Sequence, residues 1–73
     1  MNEPTLLLSF AAAAELLSIS RAMLYQLHSS GKLGPMIIKI GRRSLINRAE
    51  LEQWIAAGLP SRVRWQDIWR VGL

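Results

Sequence analysis

The chain has 73 residues, enough for one domain with a single modest core. Its composition, 51% hydrophobic and 19% charged, excludes wholesale disorder, and the lack of cysteine excludes disulfides and thiolate metal sites. Nine Lys and Arg against five Asp and Glu give a formal net charge of +4, which favours a polyanionic partner. Most of these cations are arginine, whose planar fork suits phosphate oxygens and guanine edges.

Neither a leader sequence nor a membrane span is expected from this sequence. The first four residues contain an acid and a proline rather than a basic leader, and no apolar run approaches the ~18 residues of a membrane span. We therefore expect a cytoplasmic protein without a membrane partner. The segment Gly58 to Ser61 contains glycine and proline, which end regular secondary structure. We therefore predict a domain over residues 1–60 and a C-terminal tail over residues 61–73.

The first predicted element is a helix that Ser9 can cap. Apolar residues then recur at helical spacing, at Phe10, Ala13, Ala14 and Leu17. Ser18 and Ile19 interrupt this pattern, and Ser20 can cap a second helix that ends at Gly31. Two short helices joined by a tight turn are therefore expected.

A β-hairpin is predicted next, from Met36 to Ile46, because β-branched residues alternate there around the basic segment Gly41-Arg42-Arg43. Asn47 and Glu50 then form a capping-box pattern. A third helix with an apolar face follows up to Gly58; that face carries Leu51, Trp54 and Ile55. The hairpin has the place of a wing between the second and third helices.

A short amphipathic helix is predicted in the tail, because Trp65, Ile68 and Trp69 fall at i, i+3 and i+4. Polar flanks come from Arg62, Arg64 and Arg70. Our hypothesis is that the apolar face packs back onto the other helices and enlarges a small core. The alternative is an assembly surface for a second protomer or for an integrase.

The chain has few side chains that could act in catalysis, with one histidine, His28, and one aspartate, Asp67. Glu50 and Glu52 lie two apart on a helix and so point in different directions, which favours two solvated acids over a working carboxylate pair. His28, near a helix end, is read as a surface or dipole-favoured residue. We expect no enzyme, no metal site and no cofactor.

The arrangement of helix, turn, helix and basic hairpin fits a DNA duplex. On the second helix, Arg21 can bond guanine and Gln26 adenine in the major groove, while Ser20 and the first amides can hold a phosphate. At the hairpin turn, Arg42 and Arg43 have no packing role, which favours contact with phosphates or the minor groove. The alternative for Gln26 is a solvated polar residue.

Three further residues can also contact DNA, and for two of them the sequence allows a second role. Tyr25 can place its hydroxyl on a phosphate or close the edge of the core. Lys39 projects from the opposite sheet face to its neighbours and can add a backbone contact. Arg48, at a helix start that disfavours a cation, either pairs with Glu52 or meets a phosphate, and we favour a mixed role.

The segment from Leu8 to Ile55 resembles the AlpA-like and excisionase-like winged helix-turn-helix proteins, which are related to the DNA-binding half of MerR-type regulators. The motifs that carry the resemblance are Ala13-Ala14-Glu15-Leu16-Leu17, Ile19-Ser20-Arg21, Leu24-Tyr25, Leu27, Lys39-Ile40-Gly41-Arg42-Arg43, Glu50-Leu51 and Trp54-Ile55. The resemblance implies a mainly α fold with a two-stranded wing, a second helix in the major groove, and a role in recombination directionality or transcription.

The sequence departs from that family at Ala12, where an acid is common, and at Ala22 and Met23, where small polar residues are common. The tail lies outside the resemblance. The predicted DNA-binding residues are Ser20, Arg21, Met23, Tyr25, Gln26, Lys39, Arg42, Arg43 and Arg48.

Three functions are compatible with these observations. The main hypothesis is a sequence-specific binder of double-stranded DNA that acts as an excisionase-like recombination directionality factor of a prophage or other mobile element, with an integrase partner and self-association on DNA. The second is a small AlpA-like transcriptional regulator. The third is a protein-interaction module that uses the Trp-rich tail, in which case the cations should scatter, whereas Arg21, Arg42 and Arg43 are predicted to lie on one side of the fold.

Overall fold

The computed structural model describes residues 5–72, and the side chains of residues 5–69. The first four residues, the side chain of Arg70 and Leu73, on which some expectations above depend, lie outside that description. The elements in chain order are β1 (Leu7–Ser9), α1 (Phe10–Leu17), α2 (Arg21–Ser29), β2 (Ile37–Ile40), β3 (Arg43–Asn47), α3 (Arg48–Ala56) and α4 (Arg62–Gly72). Within the described residues, no helix is both long enough and apolar enough to cross a membrane.

The predicted fold class is confirmed: the protein is mainly helical, with a small antiparallel sheet, and has the architecture of a winged helix-turn-helix. The predicted hairpin is β2 and β3, in which Ile38 lies opposite Leu45 and Lys39 opposite Ser44. The short strand β1 was not predicted. It adds a third strand beside β3 and places Leu8 opposite Ile46. Three residues are too few to show an alternating pattern, so this strand is defined only by its pairing with β3.

Side-chain caps explain why α1 and α2 start where they do. Ser9 Oγ accepts the N–H of Ala12 at 3.1 Å, and Ser20 Oγ accepts the N–H of Met23 at 3.1 Å. Between the two helices Ser18 adopts the left-handed conformation with φ +61°, and its N–H satisfies a carbonyl at the end of α1. The predicted pair of short helices joined by a tight turn is therefore confirmed.

The core lies where α1, α2 and α3 meet the sheet. Ala13 is fully buried, so α1 lies close to its neighbours at that point. Leu24 of α2 and Leu51 of α3 are also completely buried. The cluster of buried residues comprises Leu8, Phe10, Ala13, Ala14, Leu24, Leu33, Ile46, Leu51, Trp54 and Trp65. It includes a residue of the tail, which is therefore part of the folded body.

Asn47 caps α3 as predicted, since its Oδ1 accepts the N–H of Glu50 at 3.0 Å. The interpretation of Glu50 as a solvated acid was wrong. Its residue is 6% exposed, and its Oε2 accepts the indole N–H of Trp65 at 2.9 Å. The sequence around Glu50 could not show this, because the helix that covers the carboxylate lies 15 residues away along the chain.

The predicted tail helix exists as α4, and Trp65 is 2% exposed with its ring stacked on Trp69 at a centroid distance of 5.4 Å. The expectation that Ile68 shares the buried face was wrong, because this residue is 43% exposed. The covered stripe of α4 instead contains the partly buried Arg62 and Gln66 together with the two tryptophans. At ~100° per residue, Ile68 lies to one side of that stripe.

The two polar residues on the covered stripe bind backbone carbonyls. Arg62 donates through Nε to the Leu33 carbonyl at 2.9 Å and through Nη2 to the His28 carbonyl at 2.7 Å. Gln66 donates to the Gly34 carbonyl at 2.9 Å. These bonds attach the first turns of α4 to the last turn of α2 and to the connection between α2 and β2. They explain how polar side chains can occupy a covered face.

Candidate nucleic-acid interface

Helix α2 presents its predicted DNA-contacting residues to solvent. Leu24 is fully buried and Leu27 half-buried, and they turn one side of the helix towards the core. Arg21, Ala22 and Gln26 are exposed on the other side. A helix held by one apolar side, with an exposed opposite side, has the diameter and the freedom to enter a major groove.

The cap of α2 determines which groups remain for a phosphate. Ser20 is exposed, and its Oγ already accepts the Met23 N–H. The hydroxyl proton of Ser20 is not used by that bond and can be donated to a phosphate oxygen. The helix dipole at this end also favours an anion.

Tyr25 packs at the edge of the core and is also accessible to solvent. Its ring packs on Phe10 with 4.7 Å between the centroids, which confirms that it closes the edge of the core. The residue nevertheless remains 49% exposed. Contact between its hydroxyl and a phosphate stays a prediction.

The hairpin carries three exposed cations, Lys39, Arg42 and Arg43. Gly41, with φ +59°, and Arg42 connect the strands, and Ile40 pairs with Arg43 across the end of the ladder. Lys39 Nζ lies 3.1 Å from the Ser44 hydroxyl, a neutral partner that leaves the ammonium charge in place. The wing therefore concentrates positive charge at its tip, as the sequence predicted.

Arg48 pairs with Glu52, with 3.0 Å between Nε and Oε2, which confirms one half of its predicted mixed role. An exposed ion pair of this kind contributes only about 0–1 kcal/mol, so a phosphate could replace the carboxylate. However, β3 runs from Arg43 at the wing tip to Asn47, so Arg48 lies five positions after Arg43, about 16 Å further along the strand direction. The structure therefore does not bring Arg48 together with the wing cations.

A family model described as a helix-turn-helix domain matches residues 7–58, which cover β1 to α3 and the turn after it. The chain belongs to the helix-turn-helix domain family. This family includes AlpA-like and excisionase-like proteins, as the sequence motifs indicated, and its domain implies DNA binding. No curated protein and no solved structure matches the chain. Helix α4 lies beyond the matched segment of the helix-turn-helix domain.

One cation of this helix-turn-helix domain was missed by the sequence analysis. Lys32 is exposed just after α2, and its N–H donates to the Leu27 carbonyl at 2.9 Å. It lines a shallow depression of about 440 Å³ together with Met23, Leu27, Gln26 and two serines. The available signal was its position directly after Gly31, the residue at which the second helix was predicted to end. Lys32 extends the polar surface beyond the C-terminal end of α2.

The predicted DNA-binding residues thus lie in three places: on α2, on the wing and, for Arg48 alone, beside β1. Met23 and Gln26 line one depression on α2. Lys39 and Arg43 both lie on the wing, but the register places Lys39 opposite Ser44 and Arg43 opposite Ile40, so the two cations lie on opposite faces of the hairpin. Arg48 lines a different depression, beside β1. Trp65, one of the three docking residues of the third functional hypothesis, is buried and so cannot contact a partner, whereas Ile68 is exposed.

Proposed function

We propose that the protein binds a specific site on double-stranded DNA as an excisionase-like accessory factor, which organises DNA beside an integrase target when a mobile element is excised. The observation that carries the proposal is the pairing of an exposed, Ser-capped α2 with a wing whose tip is cationic. In this arrangement α2 supplies base contacts in the major groove. The wing supplies contacts to phosphates or to the minor groove.

The second candidate, an AlpA-like transcriptional regulator of the same mobile elements, would use the same surface. Selection of bound fragments from random DNA, followed by mapping of the selected sequence on the host genome, separates the two. Sites beside an integrase attachment sequence, occupied cooperatively by several copies and bent in a permutation assay, support the accessory role. Sites that overlap promoters, with no effect on recombination, support the regulator. Either role places the protein with DNA in the cytoplasm.

Binding to duplex DNA is expected to depend strongly on salt, because the exposed arginines displace counterions from phosphates. With ~4–6 phosphates neutralised, log affinity should fall against log salt with a slope of about −4 to −5. Fluorescence anisotropy with a labelled duplex between low and physiological salt measures the slope. A flat response would contradict the proposed function.

We expect α2 to determine which DNA sequence is bound and the wing to strengthen binding to every sequence. Arg21→Ala is expected to relax sequence preference, because it removes a base contact, whereas Arg42→Ala with Arg43→Ala should weaken all duplexes alike and reduce the salt slope by about 2. Each variant is titrated against a selected site and against scrambled DNA. Arg64→Ala removes an exposed cation from α4 and serves as the control for net charge. Loss of specificity in the wing variant alone would contradict the assignment.

A further inference from the structure

The exposed side of α2 has an unusual chemical character for a surface that reads DNA. Ala22 is exposed, and Met23 is 45% exposed. Ser29, one turn further along, does not offer a free hydroxyl proton, because its Oγ lies 3.0 Å from the Tyr25 carbonyl and donates back to the helix. From Ala22 to Gln26, the exposed side of the helix therefore presents two apolar side chains, the Tyr25 hydroxyl and a single carboxamide, that of Gln26.

These groups are neighbours on the helix. Ala22 and Gln26 are four residues apart and lie one above the other on the same side. Met23 and Gln26 are three residues apart and line the same depression. The carboxamide is thus bordered on its N-terminal side by a methyl group and a thioether chain, both from the first turn of α2.

We infer that α2 reads an A·T base pair, with the Gln26 carboxamide bonded to adenine N6 and N7 and with Ala22 and Met23 against a thymine methyl group. The thymine C5-methyl is the apolar group that base pairs present in the major groove, and a carboxamide matches the donor and acceptor of adenine. The other side of the depression is polar, lined by Ser29, Ser30 and Lys32. A thymine methyl gains binding free energy only where it covers apolar surface, so the apolar N-terminal side of Gln26 favours this pair. The inference rests on the proposed function and specifies its target.

The test uses base analogues that change one group at a time. After selection of a bound sequence, 2′-deoxyuridine replaces each thymine in turn and removes only the methyl group, while 7-deaza-adenine removes only the adenine N7 acceptor. For the full-length protein we expect about fourfold weaker binding per contacted methyl lost. At the adenine read by Gln26 we expect a loss of about 5-fold or more.

Two variants connect these effects to the residues. In the Ala22→Ser, Met23→Gln double variant the ratio of affinities for thymine and uracil should fall towards one, and in Gln26→Ala the effect of 7-deaza-adenine should disappear. Ala49→Ser is the matched control, since Ala49 is exposed at the second position of α3 just as Ala22 is at the second position of α2. This control should keep the wild-type ratios.

The outcomes distinguish the inference from the proposed function. Salt-dependent binding of a selected site that contains no A·T pair essential for affinity, or that is insensitive to every methyl removal, overturns the readout and leaves the DNA-binding function in place. Equal methyl dependence in the double variant and in Ala49→Ser also overturns it. Failure to bind any duplex would overturn both.

Discussion

Removal of the tail, residues 61–73, is expected to lower the melting temperature by more than about 12 °C. Trp65 is 2% exposed, and truncation of a buried tryptophan costs about 3–5 kcal/mol. In a domain of this size each kcal/mol corresponds to about 4–8 °C. The deletion also removes the bonds of Arg62 to the carbonyls of His28 and Leu33, and it uncovers the carboxylate of Glu50. Differential scanning calorimetry measures the change.

Point variants separate the parts of this effect. Trp65→Ala should account for most of the loss, and Trp65→Phe should cost about 1–3 kcal/mol, because it keeps most of the ring and leaves the buried Glu50 without its indole donor. Val63→Ala, on the same helix but 78% exposed, is the control and should change stability by less than about 0.5 kcal/mol. An unchanged melting temperature, together with lost dimerisation or lost cooperative DNA binding, would show that the tail is an assembly surface instead.

Gly34→Ala is expected to destabilise the protein by about 3 kcal/mol, because a side chain has no room at this position. A Cβ atom there would overlap Trp54 Nε1 and would lie 2.9 Å from Trp65 Cγ. The Trp54 indole cannot move away freely, since its Nε1 donates to the Pro60 carbonyl at 2.8 Å. Overpacking of this kind costs about 1–3 kcal/mol, to which a weakened hydrogen bond adds about 1 kcal/mol.

Gly31→Ala is the matched control for Gly34→Ala. Gly31 has φ +79° and no neighbouring atom within 4 Å of its would-be Cβ, so only backbone strain of about 1 kcal/mol is expected. Urea unfolding of both variants, monitored by tryptophan fluorescence, compares the two costs. Equal destabilisation would contradict the close contact between Gly34 and the two indoles.

The exposure of the proposed DNA-binding residues could be predicted from the sequence because it follows from helix periodicity and from turn position. Arg21 and Gln26 lie away from the apolar stripe of α2, and Arg42 lies in a turn, where nothing can cover it. The prediction was incomplete at Lys32, which follows α2 outside any periodic element. At Arg48 the predicted pair with Glu52 is confirmed, and contact with a phosphate stays a prediction.

The tertiary contacts of α4 could not be predicted in the same way. A spacing of three and four residues identified an apolar face, but it could not show that Arg62 and Gln66, rather than Ile68, share the covered stripe. Polar side chains enter such a stripe only where carbonyls face them, and those carbonyls belong to residues about 30 positions earlier.

The sequence by itself determined the local elements of this protein: the starts of its helices, from Ser9, Ser20 and Asn47, the hairpin with its basic tip, and the exposed side of α2. Each of these depends on interactions within a few residues, namely caps, turns and periodicity. Only the tertiary structure decided the third strand, the burial of Glu50 under Trp65 and the need for glycine at position 34. These features depend on atoms that are distant in the chain and meet only when the whole core has packed.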